Sequence, residues 1–304
     1  MKFEKNVEKI LQMFGVAPSA FIAKGDQSVV YRISDEKIVK IFRSELRAFL
    51  ESLRDFEQLL FTYRLPFDLQ KIYEINSIGE TYFTVEKKLK GKTLGKLFLS
   101  LTTKQKEVAT KNYFDALKTL HQIKLPSSRF GQVLETKDRI TSASWSDFLI
   151  KKLDQRAQLA HDWLANGVTD VQEKLHLLKQ FALTQLGQPE KCIVHGDYFY
   201  NNVLFDDQCR LTAMLDFSNS TVIGDFRMDI SCAIIFFDLD LHYARYLYKL
   251  AAMNYGKDIV RFIKYYKLYY AFYLTESYLY NEGLYKWCLR SLNDKSLWKA
   301  IAIV

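Results

Sequence analysis

Residues 193–217 contain two apolar runs typical of buried strands, and each run is followed by acidic or amide side chains. Asp197 and Asn202 follow the first run, and Asp216 ends the last one. A carboxylate taken out of water is costly unless a positive group lies against it. Mg²⁺ suits these side chains because it prefers oxygen ligands, is usually held by one or two carboxylates, and completes its shell with phosphate groups and water. The residue types therefore predict a Mg²⁺–phosphate site on Asn202 and Asp216, with Asp197 nearby.

A β-hairpin would bring these side chains together. An apolar run at 203–205, a polar turn and a returning apolar run at 211–215 predict such a hairpin. Its far end, at Asp216, then returns beside the loop of residues 195–202. Asn202 and Asp216 would face the same point in space.

Two kinds of element surround this hairpin. Residues 1–88 alternate apolar and polar side chains in strand-like segments, with a helix at roughly 4–14 and an apolar helical stripe at 44–63. The segments FIAKGDQSVVYRI and IVKIF, joined by the polar turn SDEK, predict a β-hairpin. Residues 89–304 consist mainly of helical patterns, at roughly 104–123, 145–164, 169–186, 225–253 and 257–281. We expect an α+β fold with a small β-rich N-terminal lobe over 1–88 and a larger helical C-terminal lobe over 89–304. Ligands prefer the crevice between such lobes.

Composition argues against several classes of protein. The chain of 304 residues is 49% hydrophobic and 26% charged, with a net charge of +8. It has neither an apolar stretch that could cross a membrane nor the continuous apolar segment of a signal peptide. Four cysteines without CxxC spacing predict reduced thiols, so we expect a cytoplasmic protein. The basic, tyrosine-rich residues 241–304 favour amphipathic helices over a nucleic-acid surface, because helical spacing explains the pattern without a ligand.

The segment HGDYFYNN resembles the HGDxxxxN signature of the aminoglycoside phosphotransferase and choline kinase superfamily, relatives of protein kinases. Protein kinases have HRDxxxxN in this loop and a metal-binding Asp in DFG farther along. Here LDF, which contains Asp216, stands in the place of DFG, and GDFRMDI at 224–230 resembles the superfamily's GDxxxD element. The resemblance extends over about residues 20–240. It implies a bilobal protein-kinase-like fold, ATP as phosphate donor with GTP not excluded, Mg²⁺ on Asn202 and Asp216, and Asp197 as the catalytic base.

The same resemblance gives roles to residues near the N-terminus. Gly25 and Ser28 belong to a loop that resembles the reduced nucleotide-binding loop of the superfamily, although the usual three-glycine pattern is absent. Lys40, in IVKIF, has the place of the lysine that positions the α- and β-phosphates. The segment VEKK, with Glu86 and Lys88, has the place of the hinge whose backbone would hold the adenine.

A glutamate on the helix of this lobe should pair with Lys40. Glu51 and Glu57 both qualify, and spacing does not decide between them. We favour Glu51, because Phe49 and Leu53 bracket it on the apolar stripe.

Other polar residues near the signature have structural explanations. We expect His195 to bond the backbone near Asp216. His121, at the end of a helical pattern, is expected to be a core or capping residue. Asp225 and Asp229 are expected to cap and anchor the helix that follows them.

Two departures from the protein-kinase pattern favour a small molecule as phosphate acceptor. Gly196 stands where protein kinases have the arginine that receives a phosphorylated activation loop. Only residues 217–223 separate Asp216 from Gly224, which leaves no room for that loop. The acceptor is therefore expected to be a hydroxyl on a soluble small molecule.

An aminoglycoside-type antibiotic is the favoured acceptor. The segments FG at 130–131, WSDF at 145–148 and NNVLF are similar to the hygromycin-phosphotransferase branch of the superfamily. A polycationic drug needs local carboxylates, and the C-terminal region offers four: Asp238, Asp240, Glu276 and Glu282.

Three alternatives stay open. They are a metabolite kinase of the choline, homoserine or methylthioribose type, a kinase of protein substrates, and a nucleotide-binding or nucleic-acid-binding protein without catalysis. The joint presence of Lys40, Asp197, Asn202 and Asp216 favours catalysis. The sequence does not decide the acceptor, ATP versus GTP, the oligomeric state, or whether the protein confers antibiotic resistance.

Overall fold

A computed structural model describes residues 2–25 and 27–302 of the chain. The chain divides into two compact units. The first comprises Met1–Leu99, Val133–Arg139 and Asn201–Asn219, and the second comprises Ser100–Gln132, Ile140–Tyr200 and Ser220–Val304.

The first unit is built from two sheets and a few helices. Its strands are β1 (Phe21–Lys24), β2 (Ser28–Arg32), β3 (Lys37–Phe42), β4 (Asp68–Leu69), β5 (Ile72–Ile78), β6 (Thr81–Lys87), β7 (Lys92–Thr93), β11 (Val203–Phe205) and β12 (Leu211–Met214). Its helices are α1 (Lys2–Met13), α2 (Arg47–Leu60) and α3 (Leu94–Phe98), with a 3-10 turn at Pro18–Ala20. One sheet has the order β1-β2-β3-β6-β5 and is antiparallel throughout. The other has the order β4-β12-β11-β7, in which β4 and β12 run parallel.

The large sheet buries side chains mainly on its central strands β3 and β6, whereas the edge strand β1 is exposed. Val39 and Ile41 on β3 and Phe83 on β6 pack with Ile10 of α1 in one core. The hairpin predicted from FIAKGDQSVVYRI and IVKIF is confirmed as β1, β2 and β3. The turn between β5 and β6 is closed by Gly79 at φ +60°, a conformation that glycine adopts without strain.

The hairpin predicted near Asp216 is also confirmed. Strands β11 and β12 pair antiparallel, with Val203 opposite Met214. Beyond this pair, the N–H of Leu215 donates to the carbonyl of Asn202 at 2.9 Å. The ladder therefore brings the segment containing Asp216 back beside Asn202.

The second unit is mainly helical. Its helices are α4 (Thr103–His121), α5 (Trp145–Leu159), α6 (His161–Gly167), α7 (Val171–Thr184), α8 (Phe226–Ile235), α9 (Leu241–Tyr255), α10 (Ile259–Tyr273), α11 (Glu282–Leu292) and α12 (Lys295–Ile301), with a 3-10 turn at Thr275–Leu279. Its strands are β8 (Phe130–Gln132), β9 (Thr141–Ser142), β10 (Cys192–Val194) and β13 (Val222–Gly224), in the order β10-β13-β8-β9. The α+β class is confirmed, with strands concentrated in the first unit and helices in the second.

Two of the long helical patterns are interrupted. The pattern at 145–164 divides into α5 and α6 at Ala160, whose backbone leaves the helical region at φ −105° and ψ 16°. The pattern at 225–253 divides into α8 and α9, and Asp240 begins the second helix by accepting from the N–H of His242 at 2.8 Å. Apolar spacing continues across both breaks, so periodicity alone did not reveal them.

Four tyrosines of α10 belong to the core rather than to the surface. Tyr265, Tyr266, Tyr269 and Tyr270 on α10 are buried, as expected for an amphipathic helix. The four cysteines are buried. Over residues 2–25 and 27–302, no helix combines the length and the apolar character that a membrane span requires.

Candidate active site

Lys40 and Asp216 form an ion pair in the first unit. Strand β3 presents the Lys40 side chain, and its Nζ lies 2.6 Å from Oδ1 of Asp216, although 176 residues separate the two along the chain. Burial opposes the charge of Lys40, but the carboxylates of Asp216 and Glu86 more than compensate and raise its pKa above the ordinary value. Lys40 is therefore protonated at neutral pH.

The backbone of Asp216 is held in an uncommon conformation. Its φ is +60°, which is costly for a non-glycine residue, by about 1–3 kcal/mol, although Asp tolerates it better than most. The side-chain Oε1 of Gln70 accepts from the N–H of Asp216 at 2.6 Å. The next residue, Phe217, is buried edge-to-face against Phe56 at 5.5 Å between ring centroids. These two contacts fix the direction in which the Asp216 carboxylate points.

Gln70 had not been predicted as a site residue. The signal in the sequence was weak: a polar side chain that follows the short strand β4. Its side chain also approaches Glu86, with Nε2 at 3.4 Å from Oε2. Gln70 therefore links Asp216 to the buried carboxyl of Glu86.

The charges of two buried glutamates, Glu57 and Glu86, act on Lys40. Glu57, on α2, accepts from the N–H of Ile72 at 3.0 Å, and burial together with the charge of Glu86 raises its pKa to about 8. Glu86, on β6, accepts from the hydroxyl of Thr84 at 2.5 Å, and burial raises its pKa although the charge of Lys40 opposes the shift. Both carboxyls favour the protonated form more than an exposed glutamate does.

The structure does not bring Glu51 to Lys40. Glu51 lies on the exposed side of α2, where Oε1 accepts from Nε of Arg47 at 2.8 Å. Glu57 follows Leu53 by four residues, so it falls on the buried stripe of the helix, whereas the flanking apolar residues of Glu51 do not place it there. The charge of Glu57 acts on Lys40.

The other predicted nucleotide-binding residues lie at the ends of strands in the same sheet. Gly25 closes the turn from β1 to β2 by donating its N–H to the carbonyl of Ser28 at 2.9 Å, and Ser28 is buried. Asp26, between them, lies outside the described residues. The N–H groups of Lys87 and Lys88 bond the carbonyls of Lys71 and Glu36, so an adenine ring would use other backbone groups of this segment.

In the second unit, Asp229 organises the loop that carries Asp197. One oxygen of its buried carboxylate accepts from the N–H of His195 at 2.7 Å, and the other accepts from the N–H of Gly196 at 2.8 Å. Nε2 of His121 lies 3.1 Å from the same carboxylate. The N–H of Asp197 in turn donates to Nδ1 of His195 at 3.3 Å. Asp229 was expected to anchor its own helix, and it also anchors this loop.

Gly196 cannot be replaced without moving the backbone. Its φ is +79°, and a Cβ added there would lie 1.9 Å from the carbonyl oxygen of Ser220. The hydroxyl of Tyr270 donates to the carbonyl of Gly196 at 3.0 Å. On the other side of Asp197, Tyr198 and Tyr113 stack at 4.7 Å and each donates its hydroxyl to the other's carbonyl. The Asp197 loop is therefore fixed on both sides.

Asp225 has a structural role, as expected. It caps α8 by accepting from the N–H of Arg227 at 3.0 Å, and its second oxygen accepts from the hydroxyl of Tyr266 at 2.7 Å. The indole N–H of Trp145 donates to the same hydroxyl at 2.9 Å. This buried chain ties α5, α8 and α10 together.

Asn202 and Asp216 offer amide and carboxylate oxygens, the donor types that Mg²⁺ prefers. Asn202 is buried beside the hairpin end. Within the part of the chain that the structure describes, no group of three or more His, Cys, Asp or Glu side chains could hold a metal by itself. One amide and one carboxylate oxygen fit Mg²⁺, which is usually held by one or two carboxylates and takes its other ligands from phosphate groups and water.

Comparison with known proteins identifies the family of the chain. The model of the phosphotransferase enzyme family matches residues 20–261, most of the chain. The protein belongs to that family, and the resemblance found in the sequence is confirmed.

Three solved structures with a similar fold are aminoglycoside or macrolide phosphotransferases. An aminoglycoside phosphotransferase from Streptomyces rimosus, in complex with ADP and streptomycin, matches with a TM-score of 0.57 and 17% identity over 86% of this chain and 96% of that one. The GDP complex of aminoglycoside 2'-phosphotransferase-IIIa matches with a TM-score of 0.61 and 14% identity over 97% of each chain. A macrolide 2'-phosphotransferase type I matches with a TM-score of 0.57 and 18% identity over 90% of each chain. At these identities the similarity establishes the kinase-like fold.

Proposed function

We propose that the protein is a kinase that transfers the γ-phosphoryl group of ATP to a hydroxyl group of a small molecule. The observation that carries this proposal is the ion pair between Lys40 and Asp216, formed beside Asn202 by residues far apart in sequence. A phosphotransferase needs a lysine for the phosphates and oxygen ligands for a metal at one place. The family match supports the same conclusion.

Each residue has a defined task in this proposal. Lys40, protonated, positions the α- and β-phosphates, and Asn202 and Asp216 hold Mg²⁺. When bound, the ion supplies positive charge against the β- and γ-oxygens. Asp197 orients the acceptor hydroxyl and accepts its proton late in the transfer, since such transition states demand little prior deprotonation. Of the two glutamates on α2, Glu57 replaces Glu51 as the one proposed to lie behind Lys40, because Glu57 is on the buried side of the helix.

ATP is the proposed phosphate donor, and GTP remains an alternative. The solved structures with this fold include complexes with ADP and with GDP. Gly25, Ser28 and the segment containing Glu86 and Lys88 are proposed to surround the nucleotide, with the side chain of Glu86 inside the unit rather than on the base.

An aminoglycoside acceptor is supported by the names of the solved structures but not by local charge. The four acids that could receive a polycation all have partners. Asp240 caps α9, Glu276 pairs with Arg156, Glu282 pairs with Lys286, and Asp238 bonds the hydroxyl of Tyr200. This engagement favours a metabolite alcohol as the second candidate, with the same chemistry and a different pocket.

A direct transfer assay tests the proposal. Purified protein is incubated with ATP and Mg²⁺ and with aminoglycosides, macrolides and amino-alcohols in turn, and ADP and phosphorylated product are measured. We expect product that requires Mg²⁺, and we expect Asp197→Asn to lower turnover by about 10²- to 10⁴-fold, the range of a positioned acid–base group. Affinity for ATP should change little.

The matched control is Asp162→Asn, an exposed carboxylate on α6 of the same unit. It should keep wild-type turnover. If Asp197→Asn retained most of the activity, Asp197 would not be the base. The kinase proposal itself would be wrong if ATP failed to bind and no acceptor raised ADP formation above the rate measured without acceptor.

A further inference from the structure

Two basic side chains of α5 lie against one aromatic ring in the second unit. Lys152 and Arg156 are four residues apart, so they share one face of the helix. Nζ of Lys152 lies 5.4 Å from the centroid of the Tyr273 ring, and Cζ of Arg156 lies 4.7 Å from it. Lys152 is buried, and 17% of the Arg156 side chain is exposed. Cations are attracted to the face of an aromatic ring at these distances.

The cluster concentrates positive charge in a place where water is scarce. Burial opposes ionisation of Tyr273, but the charges of Lys152 and Arg156 hold its pKa below the ordinary value. Glu276 pairs with Arg156, yet Nε of Arg156 is buried and has no hydrogen-bond partner among residues 2–25 and 27–302. A buried donor without a partner is costly, by about 1–3 kcal/mol. An acceptor group from a ligand would satisfy it.

This cluster is linked to the loop that carries Asp197. The hydroxyl of Ser220 and the side chain of Arg156 both hydrogen-bond to Tyr273. The carbonyl of Ser220 lies directly against Gly196, at 1.9 Å from the place where its Cβ would be. One hydrogen bond and one backbone contact therefore connect the ring that carries the two cations to the residue before Asp197.

The charge beside the Asp197 loop is the reverse of what a polycationic acceptor requires. Glu276 is the acid of the C-terminal region that reaches this cluster, and its carboxylate is paired with Arg156. A polyamine placed here would meet the ammonium of Lys152 and the guanidinium of Arg156 in an apolar setting, where repulsion between like charges is strong. A carboxylate or phosphate would instead receive charge-assisted hydrogen bonds.

We propose that Lys152 and Arg156 form a subsite for an oxyanion, a carboxylate or a phosphate, carried by the hydroxyl compound that the enzyme phosphorylates. This inference rests on the proposed kinase function. The acceptor oxygen forms a bond to the γ-phosphorus, the bond from that phosphorus to the bridging oxygen of ADP breaks, and the hydroxyl proton passes to Asp197. The oxyanion of the acceptor stays bound to the positive charges of Lys152 and Arg156 while its hydroxyl faces Asp197. Lys152 and Arg156 thus determine specificity without taking part in the transfer.

Matched acceptors test the proposal. ADP release and product formation are measured with ATP and Mg²⁺ for hydroxy acids and sugar phosphates, each beside its neutral parent: glycerate with glycerol, gluconate with glucose, and glucose 6-phosphate with glucose. Choline and kanamycin serve as cationic acceptors. We expect transfer to at least one acidic compound at a rate well above its neutral parent and above both cations. Whether the preferred partner is a carboxylate or a phosphate follows from which pair shows the difference.

Variants then locate the subsite. Lys152→Met keeps the apolar stem and removes the charge, and it should raise KM for the acidic acceptor about 10- to 100-fold, as expected for loss of a bond to a charged group. KM for ATP and the rate at saturating acceptor should change little. Lys151→Met, the exposed neighbour on the same helix, is the matched control and should behave as wild type. Arg156→Lys keeps the pair with Glu276 and should raise KM less than Arg156→Gln.

Different results overturn this inference and the kinase function on which it rests. Transfer to neutral or cationic alcohols with none to an acidic compound overturns the oxyanion subsite and leaves the kinase intact, as does an unchanged KM in a folded Lys152→Met. Binding of ATP and Mg²⁺ without transfer to any acidic alcohol also overturns it. Absence of both nucleotide binding and transfer means that the proposed kinase function has failed.

Discussion

At the scale of single residues, Asp216 combines a charge, a proposed metal ligand and an uncommon backbone conformation. It neutralises Lys40, it carries a proposed metal oxygen, and it adopts a left-handed backbone conformation that Gln70 secures. Asn tolerates the same φ as Asp, so Asp216→Asn removes the charge while leaving the backbone preference almost unchanged. The residue therefore allows a test of charge alone.

We expect Asp216→Asn to lose the stabilisation that ATP with Mg²⁺ gives the protein. A ligand at 100 times its dissociation constant stabilises a fold by about 2.7 kcal/mol, which thermal melting resolves. Melting is compared with ATP alone and with ATP plus Mg²⁺, so that the metal-dependent part is isolated. Asp207→Asn, an exposed carboxylate on the turn of the same hairpin, should keep the full shift. An undiminished metal-dependent shift in Asp216→Asn would remove this residue from the metal site.

Single residues also show where the sequence was sufficient and where it was not. The signature and the strand pattern led to Lys40, Asn202 and Asp216, because a motif records residue types at fixed spacing. The choice between Glu51 and Glu57 was harder, because the two glutamates of α2 differ only in which face of the helix they occupy. Glu57 was recoverable from its distance of four residues to Leu53. Gln70 was not, since its bond to the backbone of Asp216 depends on the pairing of β4 with β12.

At the scale of elements, the loop before Asp197 depends on one glycine. At Gly196 an added Cβ would meet a backbone oxygen, which has no side-chain freedom to move away. The same carbonyl belongs to Ser220, which also bonds Tyr273. A change at Gly196 would therefore disturb both the loop that carries Asp197 and the basic cluster of Lys152 and Arg156.

We expect Gly196→Ala to destabilise the fold and to abolish turnover. The left-handed conformation alone costs about 1–2 kcal/mol in a non-glycine residue, and the displaced backbone adds to that. Gly187→Ala is the matched control in the same unit, because Gly187 has φ +64° and nothing within 4 Å of an added Cβ. Melting temperature and activity of the two variants are compared. Equal small losses in both would show that the contact with Ser220 is unimportant.

Elements differed in how well the sequence predicted them. The hairpins were predicted because a turn between alternating strands is a local signal. The breaks between α5 and α6 and between α8 and α9 were not, because apolar spacing continues through them while the chain changes direction. The grouping of residues 201–219 with the first unit is set by pairing with β4 and β7, contacts between segments far apart in sequence.

At the scale of the whole molecule, the net charge is +8, but acidic side chains outnumber basic ones around Lys40 inside the first unit. Glu57 and Glu86 are buried near Lys40, whose ammonium is bonded to Asp216. Two further ionised carboxylates in this place would repel each other and Asp216. The fold therefore favours protonated glutamates here, and its stability should depend on pH.

The sign of that dependence follows from Glu57. In the unfolded chain its carboxyl ionises near pH 4.5, and in the folded protein burial and the charge of Glu86 raise its pKa to about 8. Between these values the folded state binds more protons than the unfolded state. The contribution of Glu57 is therefore complete below pH 4.5 and is lost as pH rises towards 8. The free energy of unfolding falls by up to about 1.4 kcal/mol per pH unit in that window.

We expect Glu57→Gln to flatten this slope. Glutamine stays neutral at every pH and its oxygen can still accept from the N–H of Ile72, so the hydrogen bond is kept while the titration is removed. Glu51→Gln, on the exposed side of the same helix, is the matched control and should retain the wild-type slope. Unfolding by urea between pH 5.5 and 8, without nucleotide or metal, gives the free energy for each protein. If wild type and Glu57→Gln lost stability equally over this range, the buried carboxyl of Glu57 would not be protonated in the folded protein, and the excess of acid would have to be relieved at Glu86 instead.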